Sequence, residues 1–246
     1  MKMQRLLALS KMELKKVVRE PAFLFLMLLF PAVLTITFGF AFSDPELGMS
    51  FNAMAPGLFA YACIFIIMTV AQSFSDIREQ GLLRRLNTTP MTSTDFMGSQ
   101  IISNMIIAML QVLIVFLLAL PFGFSPNTNI GGILFAFLLM AILSLSSVGL
   151  GLITATIAKN SGTATGLSFV FILPQMFFGT FIPITETTRF IAVVLPSRHM
   201  TDAIISIYNG VSLFSSEILI NFAYISIVSI IIVIIGIFVY KKFGNK

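Results

Sequence analysis

Residues Asp76 to Gln100 read DIREQGLLRRLNTTPMTSTDFMGSQ, a polar stretch in a chain that is otherwise mostly apolar. It holds Asp76, Arg78, Glu79, Arg84, Arg85 and Asp95, and it turns at Thr89-Pro90. Long uncharged runs lie on both sides of it. That contrast decides the fold: a watery connection joins two rods that sit in lipid. Of the 246 residues, 57% are hydrophobic and only 10% charged, with mean hydropathy +1.00. A soluble domain carries about 25% charge, so this chain cannot cover a globule with polar surface. In lipid every backbone polar group must be satisfied within the protein, which points to a bundle of spanning helices.

Six apolar runs fit that picture, at residues 22–42, 53–75, 99–120, 130–157, 164–182 and 218–240. Each is close to or above the roughly 20 residues a helix needs to cross. None contains Lys, Arg, Asp or Glu. A charge at the bilayer centre costs at least about 2.5 kcal/mol, so the absence supports the assignment. The expected fold is all-α and polytopic: residues 22–246 form six transmembrane helices, and residues 1–21 form an interfacial helix before them. Along residues 2–19, at about 100° per residue, Met3, Leu6, Leu7, Leu14, Val17 and Val18 share one face. Arg5, Lys11, Lys15, Lys16 and Arg19 take the other. An amphipathic basic helix of this kind lies in the headgroup plane or waits for a protein partner.

Lys and Arg set the orientation. With the amino terminus in the cytosol, the inner segments hold 13 of the 15 Lys and Arg, and only Arg189 and Arg198 lie outside. An even span count puts both termini inside, in the cell membrane. Net charge is +5, but the basic residues are scattered over loops, which excludes a nucleic-acid face. Ala41-Phe42-Ser43 fits a small-x-small cleavage pattern, yet the apolar run before it is longer than a signal peptide uses.

Within the spans, Pro31 kinks the first. Thr92 and Asp95 stand at capping-box spacing before the third. Ser144, Ser147, Gly151 and Thr154 recur at helical spacing along the fourth, either for close helix packing or facing a solute. The same two readings apply to the other polar residues within or beside spans. The candidates for a translocation path are therefore Gln72, Asn104, Gln111, Ser144, Ser147 and Gln175. Residues 183–217 are outside; Phe190–Leu195 is apolar but too short to cross, and Pro183 and Pro196 bracket it, so the segment is expected to be re-entrant or interfacial. Arg198 and Asp202 stand four apart and can pair. The last span ends in Tyr240-Lys241-Lys242, an interfacial anchor.

The chemistry that is missing narrows the function. No G-x-x-x-x-G-K-[ST] loop occurs, so no nucleotide site of that kind is expected in the chain. One cysteine, Cys63, and one histidine, His199, make no metal set and no disulfide. The serines have no base in the membrane, which argues against a lipid-modifying enzyme. Ion-driven pumps place ionisable residues inside the bilayer; with none here, energy for uphill movement is expected from a partner.

Arg78-Glu79-Gln80-Gly81-Leu82-Leu83-Arg84-Arg85-Leu86-Asn87-Thr88-Thr89-Pro90 resembles the pattern R-E-x-G-T-L-E-x-L-x-x-T-P of ABC-2 type transporter permeases. Arg78, Glu79, Gly81, Leu83, Leu86, Thr89 and Pro90 match; Leu82 replaces Thr, and Arg84 reverses the charge of a Glu. Gly179, Phe181 and Pro183, then Pro196, are similar to a second family pattern, although Thr188 and Ser197-Arg198 depart from it. The resemblance implies that two six-span chains, identical or similar, associate with two ATP-binding cassette subunits. Those partners would hold ATP and Mg; this chain would hold no cofactor and be no enzyme itself. Segment 76–98 would be the coupling helix that the ATPase grips, the amino-terminal helix an elbow, and 183–217 a re-entrant pair at the exit. Lipophilic drugs, lipids, lipid-linked glycans or ions would be exported. The other class that remains is a self-sufficient channel or facilitator.

Overall fold

The computed structural model describes residues 3–19, 21–42, 50–81, 93–182 and 185–243. Nine α-helices occur among them, and no strand: α1 (Met3–Arg19), α2 (Pro21–Ala41), α3 (Phe51–Glu79), α4 (Ser93–Ala119), α5 (Ile130–Ile157), α6 (Ser161–Met176), α7 (Glu186–Ala192), α8 (Pro196–Tyr208) and α9 (Ser216–Phe243). A 3-10 turn, Leu120–Phe122, ends α4, and a π turn, Phe177–Phe181, continues α6. Five helical segments are long and apolar enough to cross a membrane: Phe51–Glu79, Phe96–Phe122, Ile130–Ile157, Ser161–Phe181 and Ser216–Phe243. The first expected span is α2, 21 residues with Pro31 inside and a shorter apolar stretch, Met27–Ala41. All six expected runs are helical, and α3 and α9 extend a few residues past the predicted limits at both ends. Those extra turns are polar: Asp76, Arg78 and Glu79 at one helix end, Lys241 and Lys242 at the other.

The bundle is built around α3, the most thoroughly buried of the long helices. It packs against α2, α4, α5, α6 and α8. Phe59, Phe65 and Phe74 are its largest enclosed side chains; Phe59 meets Phe124 and Tyr208 edge-on at 5.2 and 6.3 Å. With no water in the bilayer to expel, contact of this kind supplies much of the association. Small residues let backbones approach for the same reason. A β-carbon on Gly236 of α9 would stand 2.5 Å from the Gly149 carbonyl oxygen of α5, and one on Gly151 would stand 2.9 Å from the Ile67 carbonyl oxygen of α3.

Beyond α6 the segment expected to be re-entrant holds two short helices. Helices α7 and α8 meet at 103°, too short separately to cross. Pro196 opens α8 at a position where its missing N–H costs nothing. Arg198 and Asp202 pair at 2.6 Å, as their spacing anticipates. Burial raises the Asp202 carboxyl above the usual carboxylate range, and Arg198 opposes that shift. His199 lies against Tyr224, donates from Nε2 to the Val193 carbonyl (2.9 Å) and places Nδ1 2.7 Å from the Asn221 carboxamide. Ser206 donates to Glu217 at 2.8 Å. These bonds fasten the α7–α8 pair to the start of α9.

Candidate functional site

Helix α3 ends where the motif begins. Gly81 has φ +64°, a left-handed conformation that L side chains resist, and its N–H donates to the Arg78 carbonyl at 3.0 Å. That is the physical reason for a glycine at this point of the motif: it stops the central rod. Leu82, Leu83, Arg84, Arg85, Leu86, Thr89 and Pro90 lie outside the described residues, as do Pro183 and the Thr92 half of the capping box.

The described partners of Arg78 and Glu79 lie on a distant part of the chain. The Arg78 guanidinium donates to the Ala158 carbonyl, a close contact, and to the Thr156 carbonyl at 3.4 Å. The Glu79 carboxylate accepts from the Ser161 N–H at 2.5 Å. A helix leaves its last carbonyls and first N–H groups without internal partners, and its dipole makes those ends negative and positive respectively. The cation therefore sits on the carboxyl end of α5 and the anion on the amino end of α6. Asn160 adds its own cap, accepting from the Thr163 N–H at 2.7 Å. Nearby, Tyr240 of α9 donates to the Phe74 carbonyl of α3 at 3.2 Å.

The same end of the bundle carries α1. Ser10 is buried and donates to the Ser99 carbonyl of α4 at 3.3 Å, while Ser103 donates back to the Ser10 carbonyl at 3.3 Å. Leu14 and Val17 pack on the cluster around Met27, Phe74 and Phe96. Leu7 and Val18, from the same apolar face, stay exposed beside Lys11 and Lys15. Among the described side chains of that face, Leu14 and Val17 rest on protein while Leu7 and Val18 do not.

Of the six path candidates, Ser144 and Ser147 share α5, Asn104 and Gln111 share α4, and Gln72 and Gln175 lie on α3 and α6. Gln72 is half-buried on α3. The others are buried. Asn104 donates to the Gln100 carbonyl at 2.9 Å; Ser144 and Ser147 donate to the Met140 and Leu143 carbonyls, one turn back on their own helix. The side-chain amide of Gln111 and the side-chain Oε1 of Gln175 have no hydrogen-bond partner among the described residues. Gly179 of the second motif lies against the start of α8. A β-carbon on Gly179 would fall 2.0 Å from the Ser197 hydroxyl, beside Pro196, and that hydroxyl donates to the Gln175 carbonyl at 3.1 Å. Phe181 stacks between Phe38 (5.3 Å) and Tyr61 (6.4 Å). Glycine is needed there for close approach, and the aromatic anchors the π turn to α2 and α3.

A family model described as ABC-2 type transporter matches residues 4–209, from α1 through the end of α8. The chain belongs to the ABC-2 type transporter family. The "Probable multidrug ABC transporter permease YbhR" of Escherichia coli (strain K12), and that of Escherichia coli O157:H7, are each 27% identical to it over 160 residues. The match covers 63% of this chain and 43% of theirs, so the chain spans less than half the length of those relatives. Together with the apolar helices, this makes it a multi-pass, ABC-type permease.

Sequence reasoning on this ABC-2 family chain missed the Ala158–Ser161 turn as part of the site. A signal was present: Lys159-Asn160 is the only polar break between two long runs, and Asn160 stands three before Thr163. It also missed Ser10, Ser99 and Ser103, which look inert in sequence.

Proposed function

We propose that this ABC-2 permease is the membrane subunit of an exporter driven by ATP hydrolysed in a separate ATP-binding cassette subunit. That subunit holds the ATP and Mg. A second permease chain, the same or similar, completes the membrane part, and both termini face the cytosol of the cell membrane. Solutes are lipophilic, in keeping with uncharged spans and with the word multidrug in the relatives' name.

One observation carries the reading: the central helix α3 runs from the enclosed core to Glu79 and hands over at Gly81 to the family motif. A force applied to residues 82–90 acts directly on the rod that touches α2, α4, α5, α6 and α8. Leu82, Leu83 and Leu86 supply the apolar grip, each worth about 1.5–3 kcal/mol on burial. Two such segments per dimer reach the roughly 5.5 kcal/mol needed to drive a gate from closed to open.

The test is purification of the full chain from its native membrane, with and without Leu83→Asp and Leu86→Asp together. An ATPase subunit copurifies with the wild type and is lost from the double variant. Solute flux in vesicles holding this chain alone, without nucleotide, would instead establish a facilitator.

A further inference from the structure

We propose that Arg78 and Glu79 are positioning residues that work inside the permease, clasping the α5–α6 turn so that α5 and α6 follow the end of α3. The proposal rests on the reading of residues 82–90 as the segment the ATPase moves. Among the described residues their side-chain partners, Thr156, Ala158 and Ser161, lie about eighty positions further on. Adjacent residues of opposite charge meet adjacent helix ends of opposite polarity. Arginine suits the first task because its planar fork reaches two carbonyls at once. The turn they hold is only residues 158–160 long, so it has little slack between the two spans.

The mechanical consequence follows from the packing. Helix α5 lies close against α3 at Gly151 and against α9 at Gly149, where an added β-carbon would meet backbone atoms within 2.9 Å. A displacement of Gly81 either breaks the clasp or carries α5 and α6 along. With the clasp intact, three spans move as one unit; without it, the central rod moves alone. Arg78 and Glu79 therefore set how much of a motor's stroke reaches the membrane, while the motor itself docks elsewhere.

Spin labels at Gln80→Cys and Lys159→Cys report the clasp in the full chain in lipid nanodiscs; Cys63 is fully buried and stays unlabelled. One narrow distance is expected in the otherwise native chain, and a broad distribution with Arg78→Gln and Glu79→Ala. In membranes with the copurifying ATPase, the same pair of changes lowers the solute moved per ATP hydrolysed about tenfold or more. Arg78→Lys, which keeps the charge and loses the fork, gives an intermediate width, and serves alone if the double variant does not insert. An unchanged distance overturns the proposal. So does loss of the ATPase with the distance still narrow, which would make these residues a docking surface. If the wild type recruits no ATPase, the exporter reading fails, and the distance still decides whether the clasp exists.

Discussion

Gly236→Ala adds one methyl group to α9 where it crosses α5. The new β-carbon would stand 2.5 Å from the Gly149 carbonyl oxygen and 3.2 Å from the Gly149 carbonyl carbon and Cα. All three are backbone, so no side chain can turn aside. Ordinary contact distances require the helices to part by about 1 Å, which loosens dispersion contacts along the crossing. Overpacking of this kind costs about 1–3 kcal/mol. Gly166→Ala is the matched control, because a β-carbon there meets nothing within 4 Å. In a helix interior that change is expected to be neutral or to stabilise by about 0.5–1 kcal/mol. The assay is reversible unfolding in mixed micelles, following helix content against the denaturing detergent fraction. Gly236→Ala should unfold earlier than wild type and Gly166→Ala no earlier. Equal curves for the two variants would refute the claim that α5 and α9 touch through their glycines.

Other expectations test separate parts of the structure. A membrane-impermeant maleimide should reach Lys159→Cys and Arg189→Cys from opposite sides of sealed vesicles; labelling from one side would break the six-span alternation. Cys63, fully buried on α3, should react with maleimide only after unfolding; rapid labelling of the native chain would mean that α3 is not enclosed. Ser10→Leu forces a larger side chain into the α1–α4 contact, at about 1–3 kcal/mol, so trypsin should cut at Lys11 and Lys15 faster, by about fivefold or more. Unchanged cleavage would detach α1 from the role of a packed elbow.

The spans were legible because lipid imposes one rule on every residue in them, and no charge breaks that rule between 22 and 42 or in any later run. Loop limits were less clear: Asp76, Arg78 and Glu79 look like loop residues, yet they form the last turn of α3 because their partners lie on another hairpin. Helix α8 was marked in advance by Pro196 at its start and Gly210 at its end, and by Met200, Ala203, Ile204 and Ile207 on one face. The proline pattern drew attention to the bend instead. The polar residues inside spans were ambiguous for a plain reason. A serine hydroxyl can satisfy itself on the carbonyl one turn back, as Ser144 and Ser147 do, and composition does not reveal that choice.

The enclosure of α3 also governs the order of assembly. Most of the surfaces that cover it belong to α5, α6 and α8, which are synthesised later. Until they arrive, Thr69, Gln72 and Ser75 face hydrocarbon or whatever escort the insertion machinery provides. A nascent chain stalled near residue 122 thus displays its future heart on the outside, and a cell's quality control meets this permease at its most vulnerable there.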